Sequence, residues 1–154
     1  MSTAKDIMSK PAISVTEDHT LREVLELLVE HRFSGMPVVN AEGKVVGIIS
    51  DTDIIRYSQQ LNVVPLSNLS GWISPYAEIS DLASLKTGFE LLHKTKVSEV
   101  MTKKVYSVRK DTPNSEVAQL MSRRNINRVP IIDSSDKLVG IVTRTDLVKC
   151  MASE

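Results

Sequence analysis

Residues 4–56 align with residues 97–149 without a gap, at a constant offset of 93. Fifteen of the 53 pairs are identical, among them Met8/Met101, Asp18/Asp111, Glu23/Glu116, Pro37/Pro130, Lys44/Lys137, Gly47/Gly140 and Asp53/Asp146. Chance at ordinary residue frequencies gives about three or four. Most of the other pairs keep their apolar or polar character. A repeat on this scale implies that neither half buries its apolar face alone, so the chain must fold as two copies of one supersecondary unit.

Each copy reads as β-α-β-β-α, which predicts an α/β fold of the α+β type with two quasi-equivalent halves. Ile13-Ser14-Val15 and Val105-Tyr106-Ser107-Val108 are short extended segments. A helix follows from Leu21 to about His31, with Leu21, Val24, Leu25 and Leu28 at 3–4 spacing; its counterpart carries Val117, Leu120 and Met121. Thr20 and Pro113 open these helices, and proline suits a first turn. Met36-Pro37-Val38-Val39 and Val129-Pro130-Ile131-Ile132 are β-rich strands. After the turns 41–43 and 134–136 come strands at 44–49 and 137–142, then closing helices at 51–59 and 144–151.

The remainder of the chain, 57–96, matches neither copy. Ser74-Pro75 is a good helix start, and Tyr76, Ile79, Leu82, Phe89 and Leu92 fall near one face of a helix over about 75–93. That stripe reads as core packing or as a dimer contact. The domain plan is therefore a first motif at 1–60, a linker with a helix at 61–96, and a second motif at 97–154.

Composition narrows the function. Nineteen basic and nineteen acidic side chains give a formal net charge of zero, which argues against a broad nucleic-acid or membrane surface. Aromatics are only 4%, leaving few platforms for stacking single-stranded bases. The single cysteine, Cys150, cannot form an internal disulfide, which fits a reducing, cytoplasmic compartment. No apolar run has signal-peptide or membrane-spanning length. His19, His31 and His93 lack metal-ligand spacing, and no Gly-rich phosphate loop or activated nucleophile is evident. These features point to binding and not to catalysis.

Two heptapeptides occupy matching places: Gly47-Ile48-Ile49-Ser50-Asp51-Thr52-Asp53 and Gly140-Ile141-Val142-Thr143-Arg144-Thr145-Asp146. Each runs from a buried strand into a helix N-terminus. One reading is structural: Ser50 and Thr143 cap the helices, with Asp53 and Asp146 closing a capping box. The other is a ligand site. Free N–H groups at a helix start receive an anion, an ionised carboxylate accepts both hydroxyls of a ribose, and Gly47 and Gly140 allow close approach.

The repeat resembles the CBS motif, and the whole chain resembles a CBS-domain pair, or Bateman module. The resemblance rests on Asp6-Ile7-Met8-Ser9 and Glu99-Val100-Met101-Thr102, on the two proline-bearing strands, and on the two heptapeptides. It covers both copies and not the joining segment. It implies two motifs packed with pseudo-two-fold symmetry and two clefts for adenosine-containing ligands: AMP, ADP, ATP or S-adenosylmethionine. Ser50 with Asp53, and Thr143 with Asp146, would then hold ribose. Adenine would lie near Ile13 and near Val105 or Tyr106. Phosphates would meet Arg128 and Arg144, whose partners in the first copy are Gly35 and Asp51, so the clefts should differ. Arg123 and Arg124 read as a solvated face. The resemblance further implies a homodimer and a regulated partner protein, with no catalytic residue. The alternative function is an interaction scaffold with vestigial clefts.

Overall fold

The computed structural model describes residues 2–60, 88 and 90–153. Its elements run α1 (Ala4–Ile7), β1 (Val15–Thr16), α2 (Leu21–His31), β2 (Gly35–Val39), β3 (Val45–Ser50), α3 (Asp51–Gln60), a 3-10 turn at Val97–Glu99, β4 (Val108–Arg109), α4 (Asn114–Arg124), β5 (Arg128–Ile132), β6 (Leu138–Thr143) and α5 (Arg144–Ser153). They form two three-stranded sheets, ordered β1-β2-β3 and β4-β5-β6. This is the expected α+β fold, element for element in both copies. Of the helix expected over 75–93, only 88 and 90–93 are described, and they are helical, as is 94. Tyr76, Ile79, Leu82 and Phe89 of the apolar stripe lie outside the described residues.

Local chemistry explains the matching elements. Thr20 caps α2 by accepting from the Glu23 N–H at 3.3 Å. Leu21, Val24 and Leu28 are its buried side. Both long helices end on a left-handed residue at equivalent positions, Arg32 (φ 57°) and Asn125 (φ 53°). The β2–β3 and β5–β6 turns are also equivalent. Asn40 Oδ1 accepts from the N–H groups of Glu42 and Lys44 at 2.9 and 3.0 Å; Asp133 Oδ1 accepts from Ser135 and Lys137 at 2.8 and 3.0 Å. These backbone donors favour the charged form of Asp133 and hold its carboxyl below the usual range.

Three boundaries differ from expectation. The opening strands are shorter and lie later, at Val15–Thr16 and Val108–Arg109. In the second sheet β4 pairs in parallel with β5 from Val108↔Ile131 onward. Pro130, one residue earlier, has no N–H to give to a ladder, so 105–107 remain outside the strand. Pro113 is the N-cap of α4 and not its first residue.

The chain gathers into two compact units that do not follow the repeat. One comprises Met1–Ser14, Pro37–Gly47 and Lys103–Glu154; the other comprises Val15–Met36 and Ile48–Thr102. In the first, the opening segment of the first copy docks on the second copy. The N–H groups of Ala4, Lys5 and Asn114 donate to Thr112, Lys110 and Ser2, and Ser9 and Ile141 exchange both of their backbone bonds. The other unit repeats the pattern 93 residues on. Val97, Ser98 and Leu21 donate to His19, Glu17 and Thr95, and Thr102 and Ile48 exchange both bonds. Ala4 thereby enters a core with Val117, Met121, Val129, Ile131, Val142 and Leu147. Val97, its counterpart, is fully buried in the other unit. Each such apolar side chain contributes about 1.5–3 kcal/mol when of valine size or larger.

Gly140 marks the docking directly. A methyl group added there would stand 2.9 Å from Met8 Cγ and 3.1 Å from the Ser9 carbonyl oxygen. The close approach expected of this glycine is thus made by the chain's own opening segment. Gly140→Ala is expected to destabilise the protein by about 1–3 kcal/mol, as overpacked cores do. Chemical denaturation followed by circular dichroism measures it, and an unchanged midpoint would contradict the docking.

Candidate functional site

Strand β3 ends at Ser50 and α3 begins at Asp51; β6 ends at Thr143 and α5 begins at Arg144. A strand that turns into a helix with no intervening loop leaves the first helical N–H groups without intrahelical partners. The side chains three residues apart satisfy them. The Ser50 N–H donates to Asp53 Oδ2 at 3.0 Å, and the Asp53 N–H donates to Ser50 Oγ at 3.2 Å. In the second copy the Thr143 N–H donates to Asp146 Oδ2 at 2.8 Å, and the Asp146 N–H donates to Thr143 Oγ1 at 3.3 Å. Both heptapeptides are therefore reciprocal capping boxes.

The two carboxylates are used differently. Thr143 Oγ1 also donates to Asp146 Oδ2, at 3.0 Å, so both local bonds fall on one oxygen and Oδ1 takes neither. At Asp53 the second bond comes from elsewhere: Thr102 Oγ1 donates to Oδ1 at 3.2 Å, and Arg56 Nη1 stands 4.0 Å from the same atom. The Asp53 side chain is only 12% exposed. Ser9 is the repeat partner of Thr102 and Lys149 that of Arg56; neither contacts Asp146 among the hydrogen bonds and ion pairs of the described residues. Thr102 could not be picked out beforehand, since it reaches Asp53 only through the bridge to Ile48.

Arg128 is brought to the second pair. It is half-buried and lies opposite Thr143 in the antiparallel β5–β6 register, which puts the two side chains on one face of the sheet with Cβ atoms about 5 Å apart. Arg144 is exposed at the start of α5, where its N–H donates to the Asn127 carbonyl at 2.9 Å. Asp51 occupies the equivalent place, and its backbone N–H donates to the Ser34 carbonyl at 2.9 Å. Ile13, Val105 and Tyr106 are half-buried and outside regular elements. They share a compact unit with Thr143, Arg128 and Asp146, whereas Ser50 and Asp53 belong to the other.

Tyr106 has a neighbour that the sequence reading missed. The Arg124 guanidinium sits 4.8 Å from its ring centroid and Lys104 Nζ 5.9 Å, within cation–π range. Arg124 is thus not simply a solvated side chain. His93 likewise has a partner, since both of its ring nitrogens stand within hydrogen-bond reach of Arg22 Nη1, at 3.1 and 2.9 Å. No group of three or more His, Cys, Asp or Glu side chains among the described residues could hold a metal ion. No described helix is long and apolar enough to cross a membrane.

Known proteins match over the same two copies. The CBS domain profile matches residues 4–60 and 97–153. The uncharacterized protein MJ1426 of Methanocaldococcus jannaschii is 38% identical over 96% of this chain and 89% of its own. Two longer relatives are matched over only 23% of their length. Among solved structures, the CBS domain pair of protein MJ0100, in complex with 5'-methylthioadenosine and S-adenosyl-L-methionine, superposes with a TM-score of 0.73 at 28% identity, covering 99% of this chain and 98% of that one. CBSX2 of Arabidopsis thaliana in complex with AMP gives 0.70 at 25% identity, covering 99% and 98%.

Proposed function

The chain belongs to the CBS domain family, with two motifs, and from that membership we propose that it is a regulatory module that senses an adenosine-containing ligand and modulates a partner protein in the cytoplasm. The first motif at 1–60, the linker at 61–96 and the second motif at 97–154 act together as one module. The observation that carries the reading is the pair of carboxylates, Asp53 and Asp146, each fixed at a strand-to-helix junction by its own cap. A carboxylate held in this way is ordered before the ligand arrives, and it retains lone pairs for hydroxyl donors. Two structurally similar CBS pairs hold S-adenosyl-L-methionine with methylthioadenosine, and AMP.

In this reading Ser50 with Asp53, and Thr143 with Asp146, receive ribose. Arg128, beside Thr143 in the strand register, and the exposed Arg144 meet phosphate or carboxylate, which a guanidinium binds in bidentate fashion. Ile13, Val105 and the Tyr106 ring supply the apolar walls for adenine. Such groups bind and orient a ligand; nothing in the set activates a nucleophile or transfers a proton, so the role is binding.

The reciprocal caps favour one competing reading, in which the aspartates only stabilise helices and the module is a scaffold. Melting temperature and affinity measured on the same variants separate the two. AMP, ADP, ATP and S-adenosylmethionine are tested by calorimetry. For the ligand that binds, Asp146→Asn is expected to weaken affinity about tenfold or more, the effect of losing a charged hydrogen bond. Arg128→Ala should weaken a phosphate-bearing ligand more than adenosine. Lower stability with unchanged affinity, or no binding of any of the four at millimolar concentration, would replace the sensor with the scaffold.

The reading includes a homodimer. Ile55 on α3 and Val148 on α5 are repeat partners and are 41% and 58% exposed. Large apolar groups at matched places suit an isologous interface. Sedimentation should give a dimer that Val148→Asp weakens, and a monomer at high micromolar concentration would refute it.

A further inference from the structure

We propose that the Thr102 hydroxyl is a built-in competitor for the ligand at Asp53, so that the two carboxylates fill in order, Asp146 first. This rests on the adenosine reading above and adds a residue and an order to it. Both carboxylates accept two hydrogen bonds, but the bonds are distributed differently. Asp146 takes the Thr143 N–H and the Thr143 hydroxyl on Oδ2. Asp53 takes the Ser50 N–H on Oδ2 and the Thr102 hydroxyl on Oδ1.

The vicinal hydroxyls of a ribose are two donors set side by side, and they suit a carboxylate edge with open lone pairs. Asp146 offers Oδ1 free of the cap. Asp53 has a donor on each oxygen, the Arg56 guanidinium 4.0 Å from Oδ1, and a side chain only 12% exposed. A ligand there must displace the Thr102 hydroxyl or share its acceptor. Displacement exchanges the charged partner of the exposed Thr102 hydroxyl for water, and sharing weakens both bonds.

The competitor is positioned by backbone and not by chance rotation. Thr102 and Ile48 exchange both N–H···O bonds, at 2.9 and 2.8 Å, and Ile48 lies two residues before Ser50 on β3. Ser9, at the matching place in the other copy, is tied by the same two bonds to Ile141 yet makes no side-chain bond to Asp146 among the described residues. The asymmetry therefore lies in the hydroxyl and the carboxylate, because the backbone arrangement is the same.

Calorimetric titration with AMP and with S-adenosylmethionine tests this on the whole chain. In an Asp146→Asn background, which leaves Asp53 as the intact carboxylate, Thr102→Val is expected to tighten binding roughly threefold to tenfold, the span of one net hydrogen bond. Thr102→Ser keeps the hydroxyl and should match the parent. In an Asp53→Asn background, Thr102→Val should leave affinity unchanged, and that background should retain the tighter of the two wild-type steps. Thermal melts of each variant confirm folding, with Thr102→Ala as a second hydroxyl-free variant. Unchanged or weaker binding by Thr102→Val and Thr102→Ala at Asp53 would overturn the competition while leaving the sensor intact. Absence of any binding by wild type would overturn the sensor reading itself, and this inference with it.

Discussion

The crossing of the two opening segments is the constraint on which the rest of the structure depends. Residues 2–9 complete the core that the second copy begins, and 95–102 do the same for the first. Strand β6 lies at the edge of its sheet, and an unpaired edge exposes a row of N–H and C=O groups. The Ser9 bridge occupies that edge at Ile141, and Thr102 occupies the edge of β3 at Ile48. Ala4 and Val97 then bury fully where the other copy's helix and strands would leave a gap. Each opening segment therefore needs the other copy to dock on.

The same crossing shapes the candidate site. The bridged residues Ile48 and Ile141 are the second residues of the two heptapeptides, so whatever holds the bridge also holds the strand end and the cap. In one unit the crossing brings Thr102 onto Asp53; in the other it brings Ser9 past Gly140, with no side-chain bond from Ser9 to Asp146 among the described residues. Two heptapeptides that share four of seven residues thus acquire different surroundings. Arg128 and Arg144 sharpen the difference, because their partners are Gly35 and Asp51. In the proposed reading a phosphate at the second pair would meet Arg128 and Arg144, whereas one at the first would meet Asp51 beside Arg56.

Much of the fold was legible because its signals are local. Thr20, the 3–4 spacing from Leu21 to Leu28, and the β-branched run after Pro37 each act within a few residues, and α2 and β2 begin within one residue of where these signals put them. The caps at Ser50 and Thr143 were legible for the same reason. What stayed hidden depends on pairing between distant residues. Pro130 shortens β4 only once β4 is known to lie beside it. Arg128 becomes a neighbour of Thr143 only through strand register. Arg124 reaches Tyr106 through the turn of α4 against 104–106. The crossing itself is made of backbone bonds that any residue type can form, and only the conserved pair Gly47/Gly140 within the repeat hinted at a close approach, without saying by what.

Native-state hydrogen exchange tests the crossing most directly, through the backbone amides of Ser9, Ile141, Ile48 and Thr102. All four donate within the two bridges, at 2.8–3.2 Å. They are expected to exchange only through global opening, as slowly as the buried core amides of Val129 and Val142. If Ser9 and Thr102 exchanged at the rate of frayed segments while Val129 and Val142 stayed protected, the opening segments would not be docked on the opposite copies, and the account built on them would fail.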